Sequence, residues 1–176
     1  MPELADLRSA VPHLPKRFLA PGGLLVMTEP CEVTTILGPC VAVTLWCRRS
    51  HVAAICHAML PADRGGGSAA VGTPSWKYVS AVVPEMLARF ARKGGESVTL
   101  EIKLFGGADL LNNGGQAPTA RIGPQNVELA LHLLAERGLV VVASDVGGKT
   151  GRKLIFNTLT GGVRIKRLLN SSLTIP

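Results

Sequence analysis

A cysteine and a histidine stand where they could act together as a nucleophile and its base. Cys40 follows a Gly38-Pro39 bend at the entrance of an apolar strand, and His57 lies on the next strand along the chain. A free thiol has a pKa of about 8.5 and is mostly protonated at neutral pH, so a nearby imidazole must take its proton. Such a pair predicts covalent catalysis through the sulfur atom.

An antiparallel hairpin of residues 41–47 and 52–60, joined by the polar turn 48–51, is predicted to position this pair. If the residues that flank the turn lie opposite each other, Cys40 and His57 become diagonal neighbours. Since side chains on a strand alternate with period two, both then lie on one face. A register shifted by one residue would separate them onto opposite faces.

The imidazole needs a third group that orients it, and Thr34 or Thr35 on the preceding predicted strand, 33–37, could supply a hydroxyl. Spacing alone does not establish a catalytic site. A cysteine and a histidine on one hairpin are more often residues of the core, because cysteine is among the most buried residue types.

The wider pattern of motifs resembles the family of chemoreceptor glutamine deamidases, CheD. The resemblance runs from about residue 23 to about residue 166, with the motifs in the family's order. The matching segments are Thr34-Thr35-Ile36-Leu37-Gly38-Pro39-Cys40-Val41-Ala42-Val43, Cys56-His57-Ala58-Met59-Leu60-Pro61, Lys77-Tyr78, Lys103-Leu104-Phe105-Gly106-Gly107-Ala108, Ile122-Gly123 with Asn126, Asp145-Val146-Gly147-Gly148 and Gly151-Arg152-Lys153. Pro39 departs from the pattern, since the family usually has serine there.

The resemblance implies an enzyme that hydrolyses glutamine side-chain amides on methyl-accepting chemotaxis receptors, which gives glutamate and ammonia. It implies a Cys-His-Thr triad in which Cys40 is the nucleophile, His57 the base and Thr34 the orienting threonine. The reaction passes through a thioester and needs no cofactor and no metal. A CheC-type chemotaxis phosphatase is a further partner implied by the family.

The fold class predicted is α/β (α+β), as a single domain. Mixed, largely antiparallel β-sheets pack with two main helices, and the family implies a layered sandwich. The element pattern predicts about seven strands. Residues 1–20 are expected to be a loosely ordered N-terminal extension, residues 21–170 the deamidase domain and residues 171–176 a C-terminal tail.

Composition excludes several other classes of protein. The chain has 176 residues, of which 47% are hydrophobic and 18% charged, so it is not intrinsically disordered. Its net charge of +7 fits an acidic partner, but with 2 Trp, 1 Tyr and 4 Phe it lacks the aromatic residues of a base-stacking surface, which argues against nucleic acid. No signal peptide or membrane-spanning run is visible, so we expect a cytoplasmic protein with no membrane insertion.

The remaining cysteines, Cys31, Cys47 and Cys56, are predicted to be buried structural thiols. None of the gaps between the cysteines matches the C-x₂₋₄-C spacing of a zinc site. One alternative for the whole chain stays open, namely an adaptor of the chemotaxis pathway that binds receptors or a phosphatase and has little catalysis.

Overall fold

The computed structural model describes residues 13–62, 75–109 and 121–168, and these ranges contain nine strands and two helices. A short 3-10 turn, Ser97–Thr99, precedes the sixth strand. The elements are β1 (Lys16–Phe18), β2 (Leu24–Met27), β3 (Glu32–Leu37), β4 (Val41–Cys47), β5 (Ala53–Ala58), α1 (Val79–Arg92), β6 (Leu100–Gly106), α2 (Ile122–Ala135), β7 (Val141–Val146), β8 (Arg152–Asn157) and β9 (Val163–Arg167).

The strands form two mixed sheets. One has four strands in the order β1-β3-β8-β9, and the other has five in the order β2-β5-β4-β6-β7. Only the β1–β3 and β6–β7 pairs are parallel among the described strands. Both helices pack on the five-stranded sheet. This confirms the predicted class of two main helices with mixed, largely antiparallel sheets in layers.

The five-stranded sheet is the middle layer, which explains why β4 and β5 are buried along their whole length. Side chains on one face pack with the helices, as Val43 and Cys56 do. Those on the other face pack against the four-stranded sheet, as Ala42 and Ile55 do. A strand buried on both faces reads as a continuous apolar run, and this is the pattern of residues 41–47.

Each helix turns a stripe of small or apolar residues to the sheet. Helix α1 buries Val79, Val82, Val83, Met86 and Phe90, and it runs through Pro84 as one helix rather than two. Helix α2 buries Gly123, Asn126, Ala130 and Leu134. The polar Asn126 in the second stripe is an exception to the usual apolar pattern. No helix among the described residues is long and apolar enough to cross a membrane.

The predicted loose extension over residues 1–20 is wrong for its last part. Residues 16–18 form β1, which adds to the edge of β3, and Leu19 is buried. A strand of three residues next to several prolines carries almost no sequence signal, because its pairing with β3 is what makes it a strand. Residues 1–12 and the predicted tail 171–176 lie outside the described residues.

A buried arginine joins the two sheets on the side where β7 ends. Arg152 on β8 is fully buried and donates hydrogen bonds to the carboxylate and carbonyl of Asp145 and to the carbonyl of Gly147. Arg167 contacts the other oxygen of the same carboxylate at 3.0 Å, but its side chain is half exposed. The two arginines therefore differ in burial while they share one acid.

We expect Arg152→Met to lower the free energy of unfolding by about 3 kcal/mol, because one oxygen of the Asp145 carboxylate and the carbonyl oxygens of Asp145 and Gly147 lose their buried donor. Arg167→Gln is the matched control and is expected to lower it by less than about 1 kcal/mol, as for other exposed ion pairs. Urea denaturation of both variants measures the difference. Equal losses would contradict the importance of burial here.

Candidate active site

The hairpin of β4 and β5 has the predicted register. Ala42 lies opposite His57, and the Cys47 N–H donates to the Val52 carbonyl at 2.9 Å where the turn closes. His57 therefore shares a face of β5 with Ile55, which packs in the core between the sheets. Cys40 packs against the same core. The structure thus brings the thiol and the imidazole to one end and one face of the hairpin.

The imidazole of His57 is held by a threonine. The hydroxyl oxygen of Thr35 lies 2.8 Å from Nδ1 of His57 and 2.8 Å from the carbonyl oxygen of Leu19. A threonine has one hydroxyl proton, and a carbonyl can only accept. The hydroxyl must therefore donate to Leu19 and accept from Nδ1–H. His57 is then the tautomer with its proton on Nδ1, and Nε2 carries a free lone pair.

Nε2 of His57 is buried and has no hydrogen-bond partner within the described residues. Such an atom costs free energy unless it serves a purpose, and a catalytic base is one common reason to keep it. With Nδ1 bound to Thr35, Nε2 is the nitrogen that can accept a proton from a neighbouring thiol.

Thr34 is not the threonine that contacts His57, so the expectation based on the family resemblance is corrected: the hydroxyl at Nδ1 belongs to Thr35. Side chains of β3 alternate, and Val33, Thr35 and Leu37 are buried towards the five-stranded sheet. Thr34 lies on the opposite, outer face and is only half-buried. The two threonines are adjacent on β3, so an assignment that is wrong by one residue places the side chain on the opposite face of the sheet.

In the turn that carries Cys40, three successive carbonyl groups each accept a hydrogen bond from another part of the chain. The Gly38 carbonyl accepts from Ala108 N–H at 2.9 Å, and the Cys40 carbonyl accepts from Gly107 N–H at 2.8 Å. The Pro39 carbonyl between them accepts from the side-chain amide of Asn126 at 3.0 Å. Cys40 therefore lies on a turn that is held in place by hydrogen bonds from residues elsewhere in the chain.

Glycines allow the close contacts around this turn. Gly106 has a φ of 104° and a Cβ there would lie 2.2 Å from the Cys40 carbonyl oxygen. A Cβ on Gly123, at the start of α2, would lie 2.4 Å from the Ala108 carbonyl oxygen. A larger residue at Gly106 would push the turn away from β6, and a larger residue at Gly123 would push helix α2 away from the segment that follows β6.

Burial favours neutral forms of both reactive groups. It raises the pKa of the Cys40 thiol, although the residue's own N–H opposes this shift. It lowers the pKa of His57 to about 4, against the opposing effect of the Leu19 carbonyl. In the resting protein at neutral pH the pair is therefore a thiol and a neutral imidazole rather than an ion pair.

Comparison with known proteins supplies the family. The model of "CheD chemotactic sensory transduction" matches residues 59–167. A protein of Geobacter sulfurreducens named "Probable chemoreceptor glutamine deamidase CheD 2" is 45% identical over 157 residues, which cover 89% of this chain and 92% of that protein. The chain belongs to the CheD family.

Other CheD proteins show the breadth of the likeness. A "Probable chemoreceptor glutamine deamidase CheD" of Trichlorobacter lovleyi is 44% identical and covers 86% of this chain and 90% of its own. That of Thermococcus kodakarensis is 38% identical and covers 76% and 81%. A solved structure, of the Bacillus licheniformis hypothetical protein YfiH, is 14% identical with a TM-score of 0.47, and covers 72% of this chain and 51% of that one.

Two residues at this site of the CheD protein have contacts that the sequence alone does not predict. Leu19 contributes only a backbone carbonyl, so its side chain gives no chemical signal. Asn126 belongs to the segments that resemble the family, but the resemblance assigns it no role. Its signal is an asparagine on the buried stripe of α2, where an apolar residue is expected.

The other three cysteines of this CheD chain are buried, as predicted, and no disulfide links any of the four. Cys56 lies on the helix-facing side of β5, so it points away from the site although it precedes His57. Burial raises the pKa of Cys47, but a hydrogen bond from the Thr99 hydroxyl and the effect of nearby N–H groups outweigh this and bring the pKa to about 6. In the described ranges, no three His, Cys, Asp or Glu side chains cluster as metal ligands would.

The buried imidazole predicts a loss of stability in acid. The ordinary pKa of 6.5 falls to about 4 in the folded protein, so between these pH values the unfolded chain binds a proton that the folded chain does not. The contribution of His57 is complete above about pH 6.5 and is lost as pH falls towards 4, by about 3 kcal/mol in total.

Urea denaturation between pH 7 and pH 4 measures this loss. The matched control is His57→Gln, which has no titrating group at this position and is expected to show a shallower decline with falling pH. Carboxylates contribute to both curves, so only the difference between them reports on His57. Parallel curves would contradict the lowered pKa.

Proposed function

We propose that this CheD protein is a cytoplasmic enzyme that hydrolyses glutamine side-chain amides on methyl-accepting chemotaxis receptors to glutamate and ammonia. The hydrolase class follows from the family. The observation that carries the proposal is the hydrogen bond of Thr35 to Nδ1 of His57, which leaves Nε2 as a free base on the face where Cys40 lies. We assign Cys40, His57 and Thr35 as nucleophile, base and orienting residue.

The first half of the reaction forms a thioester. As Sγ of Cys40 attacks Cδ of the glutamine, Nε2 of His57 takes the thiol proton, because the resting pair is neutral. The carbonyl oxygen becomes an oxyanion in the tetrahedral intermediate. When the C–N bond breaks, His57 returns the proton to the departing nitrogen, which leaves as ammonia.

The second half restores the enzyme. Nε2 of His57 removes a proton from a water molecule as its oxygen attacks the thioester carbonyl. The second intermediate collapses with loss of the Cys40 sulfur, which regains the proton from His57. The net change consumes one glutamine amide and one water and gives one carboxylic acid and one ammonia.

Thr35 and Leu19 support both halves. While His57 carries the extra proton, Nδ1–H still donates to the Thr35 hydroxyl, and the Leu19 carbonyl polarises that hydroxyl. The pair therefore keeps the imidazole in one orientation in both of its protonation states. This is the role that an aspartate or asparagine has in other triads.

Receptor cytoplasmic fragments incubated with the protein test the proposal. Peptide mass spectrometry is expected to show glutamines converted to glutamates, with release of ammonia, and neither change with Cys40→Ala. Fragments that bind but are not converted would instead support the adaptor interpretation. For the family's further partner, a CheC-type phosphatase, co-purification is the corresponding test.

A further inference from the structure

Asn126 is placed to orient a backbone N–H group near the thiol of Cys40. The catalytic role inferred for that group rests on the proposed function. Its side chain is fully buried on α2. Its amide nitrogen lies 3.0 Å from the Pro39 carbonyl oxygen and 3.0 Å from the Met59 carbonyl oxygen. The two amide hydrogens are therefore both used, one on the nucleophile turn and one just past the strand that carries His57.

Beyond Val41 and Ala58 the hairpin ladder ends. The Met59 N–H donates to Lys77 and not across to the nucleophile turn. Asn126 supplies the link that the ladder no longer makes, because one amide group joins the ends of both strands. Its position on α2 puts it on the helix side of the sheet, whereas Cys40 packs on the other side, between the sheets.

The contact with Pro39 fixes the direction of the next N–H group. A trans peptide unit is planar, and its C=O and N–H point in opposite directions. Because the Pro39 carbonyl points at Asn126, the N–H of Cys40 points away from α2, towards the side where the thiol lies. The lowering effect of this N–H on the pKa of its own thiol agrees with that direction.

The turn has few other donors for an oxyanion. Pro39 has no N–H, and Val41 belongs to the ladders with both β5 and β6. The Cys40 N–H precedes those ladders, and no hydrogen bond from it to a backbone acceptor is found in the described turns and loops. The Cys40 N–H is therefore available to bind the oxygen of a tetrahedral intermediate formed on the adjoining thiol.

We propose that Asn126 is a positioning residue that orients the Cys40 N–H as the donor of the oxyanion hole. The oxygen of the same side-chain amide supports a role for Asn126 beyond packing. Oδ1 of Asn126 is buried with no partner in the described residues, which destabilises the fold. A side chain kept at this cost is kept for its two donated hydrogen bonds.

Asn126→Asp tests the proposal, because it conserves shape and replaces the donor nitrogen with an oxygen that repels the Pro39 carbonyl. We expect kcat for receptor deamidation to fall about 100-fold while KM changes by less than about 3-fold, as for loss of an oxyanion donor. Alkylation of Cys40 by iodoacetamide forms no oxyanion, so its rate should stay within about 3-fold of the unmodified protein's. Site-resolved mass spectrometry separates Cys40 from the other thiols.

Glu128→Gln, an exposed change on the same helix, is the matched control and should leave both rates unchanged. Should Asn126→Asp fail to fold, Asn126→Ser retains one donor and is expected to lose about 10-fold in kcat with alkylation preserved. Equal losses of deamidation and alkylation would show that Asn126 holds the thiol itself in place and would overturn the proposal. Unchanged deamidation would also overturn it.

A substrate-like aldehyde separates this inference from the proposed function. In a peptide whose glutamine amide is replaced by an aldehyde, the Cys40 thiol adds across the C=O bond and the oxygen enters the same hole. Asn126→Asp should weaken its binding about 100-fold, in step with kcat. If the unmodified protein converts no receptor, the proposed function fails, and the aldehyde alone decides: unchanged affinity overturns the role of Asn126, and the expected loss supports it.

Discussion

Cys40→Ala is expected to reduce receptor deamidation by about 10⁴-fold or more, since no other group can form the thioester. The fold should survive, because Cys40 lies before β4 and is only half-buried. The initial rate of ammonia release, measured with a receptor fragment, checks the effect. Circular dichroism and thermal unfolding check the fold.

Cys56→Ala is the matched control for this prediction. Cys56 adjoins the base in sequence but packs towards the helices, so its loss should affect stability rather than activity. Activity at an equal fraction of folded protein is expected to stay within about 3-fold of the unmodified protein's. Residual deamidation by Cys40→Ala comparable to that of Cys56→Ala would refute the assignment of the nucleophile.

The second large effect is expected from one of two adjacent threonines. Thr35→Val has nearly the same shape but cannot accept from Nδ1–H or donate to the Leu19 carbonyl, so the imidazole loses both its orientation and its preferred tautomer. We expect kcat to fall about 100-fold or more. Nitrogen NMR of the imidazole is expected to show loss of the single Nδ1–H tautomer.

Thr34→Val is the control, since Thr34 lies on the outer face of β3, and its activity should stay unchanged. Thr35→Ser restores a hydroxyl and should recover most of the rate. A large loss with Thr34→Val and none with Thr35→Val would contradict the structure and favour the assignment drawn from the family pattern.

How far the sequence could predict the site depends on how local each feature is. The face shared by Cys40 and His57 follows from a short hairpin. The turn sets the register, and the alternation of side chains along each strand then determines which residues share a face. The choice between Thr34 and Thr35 needed the face of a different strand, in a different sheet. Its burial pattern was not obvious, because both residues are threonine and both flanking positions are apolar.

The contributions of Leu19 and Asn126 were beyond sequence reasoning for another reason. Leu19 acts through a carbonyl, which every residue has, and it reaches Thr35 only because β1 lies parallel to β3. Asn126 reaches Pro39 from a helix far along the chain. Neither contact is local, so neither leaves a spacing that can be read before the layers are known.

Because β1 lies at the edge of its sheet, we expect activity to depend on whether this short strand stays docked on β3. Among the described strands, β1 pairs with β3 alone, over three residues, and the pairing is extended by the Leu19 N–H bond to the Thr34 carbonyl at 2.9 Å. Short edge segments can detach while the remainder of a domain stays folded. Once β1 and Leu19 have detached, the Thr35 hydroxyl has lost its acceptor and can turn its proton towards Nδ1 of His57. The proton of the neutral imidazole then moves to Nε2, the nitrogen that must be unprotonated to act as a base. Under the proposed mechanism, we expect the active fraction of molecules at any moment to be the fraction in which this segment is docked.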